Sequence, residues 1–454
     1  MPPALILINP WITDFAAYDL WSKPLGLLAI AGLLRSRGYA VHLIDCLDVH
    51  HPGMQADGRS VPPVRRAYGT GKFWRTEIPR PAPLGRFRRP YSRYGIAPEL
   101  FAEALAAVPD PSAVLITSLM TYWYPGVQEA VSLVRRVHPR VPVILGGIYA
   151  QLCREHAVRY SGADLVAGGR DPEAISQTLE AVGAPSSPPA PNDFPPHPAF
   201  DLLRDPEYVC VATSTGCPYC CRYCASSFLQ PVFRQRSPEA VLEEILHWRD
   251  TLDIRDVAFY DDALLVNAQG HARPLLKGLS SRASDLRFHA PNALHLREVT
   301  AETARLLHQA GFRTIRLGLE TTDFAFRRRL DQKVREGEFE RAVEHFRLAG
   351  YRRAEIGVYV MMGLPGQSLD SVKRTLEAVR RAGAVPHLAE YSPIPHTDLW
   401  PEAVAGSDLD LSEPLLQNNT LLPCWDEEKR ARASALRALA REIRRTEACE
   451  TGRR

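Results

Sequence analysis

The sequence predicts an α/β protein made of two successive parallel sheets. The first is doubly wound and Rossmann-like. The second is a partial (β/α)6, TIM-like barrel, followed by a C-terminal helical tail. Three observations predict this. Short strand-like runs alternate with helical stretches from the N-terminus to about residue 400, and strands separated by helices of that length pair in parallel through right-handed crossovers. One proline-rich stretch, residues 183–202, interrupts the alternation and reads as an extended, semi-rigid linker. The 454 residues, 45% hydrophobic and 24% charged, suit a globular chain of two to three domains.

The first series spans residues 1–182. Ala4 to Ile8 reads as a fully buried strand, and Pro24 to Gly38 carries apolar residues at helical spacing with Gly38 to end the helix. Tyr39 to Asp45 is the second strand. Ala113 to Leu119, Val141 to Leu145 and Ala163 to Val166 follow, the last two leading into Gly146-Gly147 and Gly168-Gly169. Ligands of such a sheet sit at the C-terminal ends of its strands. The second series, residues 203–400, has strand-like runs at Val209 to Thr213, Val257 to Tyr260, Leu286 to Ala290, Thr314 to Leu319, Glu355 to Met361 and about Pro386 to Tyr391, with helical runs such as Pro238 to Arg249, Ala301 to Ala310 and Ser368 to Ala382. Residues 401–454 form the tail, in which Asp426 to Arg445 is an amphipathic helix burying Leu436, Leu439 and Ile443.

Composition narrows the function classes. A net charge of +3 is too small to imply a global nucleic-acid or membrane role. The longest apolar stretch, Pro24 to Leu34, is too short to span a bilayer. No basic n-region precedes the first strand, so a cytoplasmic location is expected. Four of the nine cysteines crowd into one octapeptide and the other five are scattered. That pattern fits a reducing compartment with metal chemistry, not a disulfide framework.

The octapeptide is CPYCCRYC, residues 217–224. Cys217, Cys221 and Cys224 have the spacing C-x3-C-x2-C. Three thiolates so close can hold three irons of a cubane cluster and leave the fourth open to a substrate or cofactor. Two rival readings remain. Cys217-Pro-Tyr-Cys220 is also a dithiol motif, whose first thiolate attacks disulfides. C-x2-C-C-x2-C is also a zinc ligand set, although zinc pairs sit on separate turns roughly a dozen or more residues apart. Cys220 is left over, and its plain reading is a bystander thiol.

With Tyr223 before its last cysteine, the motif resembles that of the radical SAM superfamily, and the second series resembles that family's core. The resemblance implies a [4Fe-4S] cluster on the three cysteines, whose open iron binds S-adenosylmethionine and cleaves it to a 5′-deoxyadenosyl radical. It further implies cofactor contacts at Asp261 or Asp262 on the second strand's tip, where the family's usual Gly-Gly-Glu run is absent. Asn292, Glu320 in RLGLET and the Gly363-Leu364-Pro365-Gly366 turn would be further contacts. Read plainly, each acid is a helix cap and the glycine run a turn. A small-molecule substrate and an electron donor such as flavodoxin or ferredoxin are expected partners.

The N-terminal half resembles the cobalamin-binding domain that precedes this core in one subgroup, through PLGLLAIAGLL, VPVILGG and Gly168-Gly169. That implies cobalamin, backbone approach at Gly146, Gly147, Gly168 and Gly169, and methyl transfer to an unactivated carbon. Without cobalamin the same core could cyclise, rearrange or thiolate. Asp48-Val-His50-His51-Pro-Gly53 satisfies the pattern D-x-H-x-x-G, in which the histidine is a lower axial ligand of cobalamin, but it follows the second strand instead of the first.

Loops after the first and third strands carry Trp11, Phe15, Tyr18, Trp21, Tyr122, Trp123 and Tyr124, placed either to pack a corrin or to join the domains. An insertion at about residues 46–98 is basic and aromatic. From Arg59 to Tyr94 it has ten Lys or Arg and one acid, Glu77, interleaved with Tyr68, Phe73, Trp74, Phe87, Tyr91 and Tyr94. It should be irregular. It suits a single-stranded nucleic-acid groove, a lid over an anionic ligand, or internal packing. A sensor in which the cluster is structural is the alternative to an enzyme.

Overall fold

The computed structural model describes residues 2–56, 62–169, 171–185 and 197–451. Most of the proline-rich linker, Arg59, and the side chain of Cys449 lie outside the described residues. The chain divides into two compact units. One is Met1–Glu207 with Glu413–Leu415, and the other is Tyr208–Ser412 with Leu416–Arg454.

The first unit is built on five parallel strands: β1 (Ala4–Asn9), β2 (Ala40–Asp45), β3 (Ala113–Ile116), β4 (Val143–Leu145) and β5 (Leu165–Val166). Their order is 2-1-3-4-5. Leu5, Ile6, Leu7 and Ile8 are all fully buried, as expected for a strand covered on both faces. Helix α1 (Leu25–Ser36) follows β1, α2 (Pro98–Ala106) precedes β3, α3 (Tyr124–Val137) follows β3 and α4 (Pro172–Ala181) follows β5. One core holds Leu5, Leu7, Leu27, Ala31, Leu34, Ile175 and Leu179. The strand order reverses between β1 and β3. This is the switch point, where the loops diverge and leave a crevice.

The insertion is largely irregular, as expected, but short antiparallel ribbons run through it. Ile12–Asp14 pairs antiparallel with Ser92–Tyr94, which pairs with Arg75–Glu77. Tyr18–Asp19 pairs with Gly71–Lys72. Phe73, Trp74, Tyr91 and Tyr94 are buried. Trp74 donates to the Val49 carbonyl at 3.1 Å and Tyr91 to that of Thr13 at 3.0 Å. The cations are also engaged internally: Arg65 binds Asp19 and Glu207, Arg93 binds Glu129 at 2.6 Å, and Arg89 lies 4.5 Å over the Phe15 ring. Internal packing therefore accounts for four of the six aromatics, while Arg66, Lys72, Arg86 and Arg88 are exposed.

Several of the rim aromatics take part in the same packing. Trp11, Phe15 and Tyr122 are buried. Trp11 donates to the Ile96 carbonyl at 2.7 Å and lies 4.8 Å from Phe101. Trp123 donates to Asp14 at 2.7 Å.

The second unit has six parallel strands in sequential order: β6 (Val209–Val211), β7 (Asp256–Phe259), β8 (Arg287–His289), β9 (Phe312–Glu320), β10 (Ile356–Met362) and β11 (Val385–Glu390). A helix joins each successive pair: α5 (Pro238–Leu252), α6 (Arg273–Arg282), α7 (Ala301–Gln309), α8 (Glu338–Leu348) and α9 (Leu369–Ala382). Their starts are fixed by sequence. Ser237, Thr300 and Ser368 each accept a backbone N–H of their helix's first turn, replacing bonds the helix end cannot make itself. Strand residues alternate between two environments. Val257, Phe288, Ile315, Leu317, Val358 and Val360 are fully buried, the face that helices coat. Arg316, Tyr359 and His387 lie on the opposite, concave face and stay half-buried.

The final helix, α10 (Glu427–Thr451), lies along β11 and α9. It buries Ala433, Leu436, Ala440 and Ile443. Leu439, expected in that stripe, is only half-buried, because residues 433, 436, 440 and 443 keep the helical period and 439 falls at its margin. Among the described residues, no helix is long and apolar enough to cross a membrane.

Candidate active site

The cysteine loop leaves the C-terminal end of β6, where a βα barrel gathers its reactive groups. It is fastened from below. The Arg222 N–H donates to the Leu330 carbonyl at 2.9 Å, and the Arg222 carbonyl accepts from Leu399 at 2.8 Å. The Arg222 guanidinium binds Glu402 at 2.9 Å. All four cysteines are free thiols; Cys220 is exposed, the others partly buried. The Cys217 Sγ lies 3.7 Å from His295 Nε2. The His295 ring lies 4.4 Å from that of Tyr219, whose hydroxyl donates to Glu298 at 2.8 Å. The Cys224 Sγ accepts from the Ser226 N–H at 3.4 Å.

Burial pushes the Cys217 thiol up, and that of Cys221 up to about 12 against the pull of Lys333. Burial and the nearby Lys333 cation push His295 down to about 4. Among the described residues no three His, Cys, Asp or Glu side chains converge to hold a single ion. A cubane takes each thiolate on a different iron, which does not require the three to converge on one point.

Glu320 closes β9 with a left-handed backbone, φ 59°, and the β9–β10 register shifts between Gly318 and Glu320. Such a conformation costs about 1–3 kcal/mol and persists only where the surroundings impose it. Here a circuit of side chains does so. Arg327 donates to the carbonyls of Leu319 and Thr321, on either side of Glu320. Asp331 holds Arg327 at 2.9 Å and accepts the Lys333 N–H at 3.1 Å. Lys333 Nζ returns to Glu320 Oε1 at 3.0 Å and stands 5.4 Å from the centre of the Tyr223 ring. Burial disfavours the Lys333 cation, yet Glu320, Cys221 and Asp331 together raise its pKa. Sequence reading missed Lys333 and His295. A lysine buried by a returning loop looks like any surface lysine in sequence.

The two aspartates at the tip of β7 differ. Asp261 is buried and accepts from the Thr213 N–H and hydroxyl and the Ser214 hydroxyl; it ties β6 to β7. Asp262 is exposed and accepts from the Ser226 hydroxyl at 2.9 Å. Asn292 donates to the Tyr260 and Asp261 carbonyls at 3.0 and 3.3 Å. Gly363 and Gly366 have φ of 101° and 72°. Gln367 fastens their turn, accepting from the Gly363 and Leu364 N–H groups and donating to the Met361 carbonyl. Thus the cysteines, Tyr223, both aspartates, Asn292, Glu320 and the glycine turn gather at the C-terminal ends of β6 to β10.

The other predicted glycines lie in the first unit, after β4 and β5. Gly146 has open space where a side chain would be, and Gly168 nearly so. Gly147 has φ 94°, and a Cβ there would stand 2.2 Å from the Ser118 carbonyl oxygen; one at Gly169 would stand 2.4 Å from the Ala174 Cβ. The first two leave room for a ligand and the second two serve packing. At the switch point a cavity of about 20 Å³ is lined by Asn9, Trp11, Leu47, Ser118 and Trp123, among others. His50 follows the edge strand β2 and pairs with Glu207 at 3.4 Å, so the D-x-H-x-x-G loop does not leave β1.

Two family models match the chain. That of the Radical SAM superfamily matches residues 211–379, and that of the B12 binding domain matches residues 91–178. An uncharacterized methyltransferase of Pyrococcus horikoshii is 23% identical over 334 residues, covering 66% of this chain and 70% of that protein. The radical S-adenosylmethionine methyltransferase TsrM of Kitasatospora setae, solved with cobalamin and a [4Fe-4S] cluster bound, is similar with a TM-score of 0.64 and 16% identity, covering 89% of this chain and 78% of its own. The cobalamin-dependent S-adenosylmethionine radical enzyme OxsB, solved with aqua-cobalamin and S-adenosylmethionine, has a TM-score of 0.55 and 14% identity, covering 91% of this chain and 56% of its own. At these identities the solved structures speak for the fold.

Proposed function

We propose that this chain, a radical SAM enzyme with an N-terminal B12-binding domain, transfers a methyl group to an unactivated carbon of a small molecule. The observation that carries this reading is the gathering of three free thiols, a buried lysine and a backbone-strained glutamate at one end of a parallel barrel. When bound, a [4Fe-4S] cluster, S-adenosylmethionine and cobalamin supply one-electron reductive cleavage and a methyl carrier, chemistry beyond any side chain.

The side chains bind and orient. Cys217, Cys221 and Cys224 would hold three irons of the cluster as thiolates. Because burial pushes the Cys217 and Cys221 thiols up, metal binding must displace protons that these sites hold firmly. Lys333 sets a cation against that loop and can also meet a carboxylate. Exposed Asp262 is better placed to pair with an ammonium than Asp261, whose oxygens already accept three protein donors. Glu320, Asn292, Tyr223 and the Gly363–Gly366 turn frame the same space. In the first unit, Gly146 and Gly168 admit the close approach of cobalamin. A small reduced protein such as flavodoxin or ferredoxin would deliver the electron.

Mass spectrometry of small-molecule products tests this. Anaerobically reconstituted full-length protein receives S-adenosylmethionine, dithionite and cobalamin. The expected result is 5′-deoxyadenosine or S-adenosylhomocysteine from wild type and neither from Cys217→Ala/Cys221→Ala/Cys224→Ala, with S-adenosylhomocysteine rising on addition of cobalamin. Zinc in place of iron in the purified protein overturns the reading.

A further inference from the structure

Beside the concave face of the barrel lie two arginines with no acid paired to them among the described residues, the acids Asp256 and Glu320 being engaged by Arg287, His289 and Lys333. Arg316 lies midway along β9, on the same face as Gly318. Its register partner on β10 is Gly357, where a Cβ would stand 2.5 Å from Arg316 Nη1 and 2.8 Å from its Cδ. The guanidinium therefore lies flat across β10. On β11, His387 pairs with Tyr359, their rings 6.2 Å apart. Arg444, from α10, donates to the Pro386 carbonyl at 2.9 Å on the same edge strand. Among the described residues neither Arg316 nor Arg444 forms an ion pair. Arg316 donates to the Ile315 carbonyl at 2.9 Å, and the nearby acid Glu390 is held by Arg437 at 2.6 Å.

These groups sense one another. Burial lowers Arg316, the hydrogen-bonded Tyr359 hydroxyl raises it, and Arg444 lowers it again. Burial, Arg316 and Arg444 push His387 down to about 3, so the imidazole is neutral and the guanidinium groups carry the charge. Tyr359 is raised by burial, lowered by Arg316 and raised by Glu320, so it stands between this cluster and the strand tips. Two partly buried cations that repel each other are costly to keep without a counter-charge. Forked guanidinium groups match carboxylate and phosphate geometry.

We propose that Arg316 and Arg444 form an anion subsite, and that the molecule acted on carries a carboxylate or phosphate anchored there. The word substrate rests on the methyl-transfer reading; the anion site itself does not. The test is isothermal titration of the full-length, anaerobically purified protein with inorganic phosphate and, separately, acetate, at fixed ionic strength. One saturable site per chain is expected for at least one anion. Phosphate alone would indicate a phosphoryl group, and acetate a carboxylate. Arg316→Gln and Arg444→Gln should each weaken binding about tenfold or more, the value of a charged hydrogen bond. Gly357→Ala should do the same, since it keeps both cations but displaces one. Arg437→Gln, paired elsewhere, should bind as wild type. Arg444 sits on an outer helix, so its variant carries the test if Arg316→Gln does not fold. No saturable binding of either anion, or binding unchanged in folded variants, overturns the proposal. Neither result touches the product assay, which fails or succeeds on the cysteines.

Discussion

Lys333 and Glu320 are each nearly inaccessible to water, and either charge would be stranded without the other. Removing one partner of a buried pair costs about 3–5 kcal/mol, whereas replacing both by uncharged groups can be near neutral. Lys333→Met should therefore lower the unfolding free energy by about 3 kcal/mol or more in urea titrations, and Lys333→Met/Glu320→Gln should recover most of it. Recovery absent from the double variant would mean that the pair does not act as a unit. The glycines allow a second comparison. Gly147→Ala forces a side chain into the Ser118 backbone at a left-handed φ and should destabilise the first unit. Gly146→Val meets open space and should melt as wild type while retaining less cobalamin, read from the visible absorbance after gel filtration. A third prediction concerns His387. Its folded pKa, about 3, lies below the ordinary imidazole value of 6.5, so unfolding takes up a proton between those values. Its contribution is full above pH 6.5 and falls as the pH drops towards 3. His387→Gln should remove about 2 kcal/mol of the acid-induced loss at pH 5, at 1.36 kcal/mol per unit. At this scale the cysteines were legible because their chemistry is local in sequence. Lys333 and His295 were not, because their meaning comes from what lies above them.

Among the elements, strand and helix positions were readable because buried parallel strands are continuous apolar runs and many of the helices begin at serine, threonine or proline. The six barrel strands stand within two residues of their expected limits. What sequence could not show was pairing. The insertion was expected to be irregular because glycine and proline disfavour long strands; its ribbons escape that objection by being two or three residues long. Nor could sequence show that Asp261 ties two strands together while its neighbour Asp262 faces outward. The stripe on α10 was legible to within one residue. Since Ile443 is buried there, Ile443→Ala should lower stability by about 2–4 kcal/mol through the cavity it leaves. A change under about 0.5 kcal/mol in chemical denaturation would mean that α10 adds little to the core.

For the whole molecule, the two sheets have different histories written in their strand orders. The first reverses direction between β1 and β3, and the second runs straight from β6 to β11. In a sequential sheet each new strand meets its neighbour as soon as it leaves the ribosome. The cysteine loop belongs to the first of these βα units, whereas Glu320, Lys333 and His295 belong to later ones. At roughly 5–20 residues per second, on the order of ten seconds to half a minute separates the emergence of Cys224 from that of the last strand. Throughout that interval the thiols exist without the shelter that later raises their pKa. A nascent chain in this state is open to oxidants, to stray zinc and to premature iron. The order of the strands thus leaves the cysteine loop waiting, during synthesis, for the groups that later enclose it.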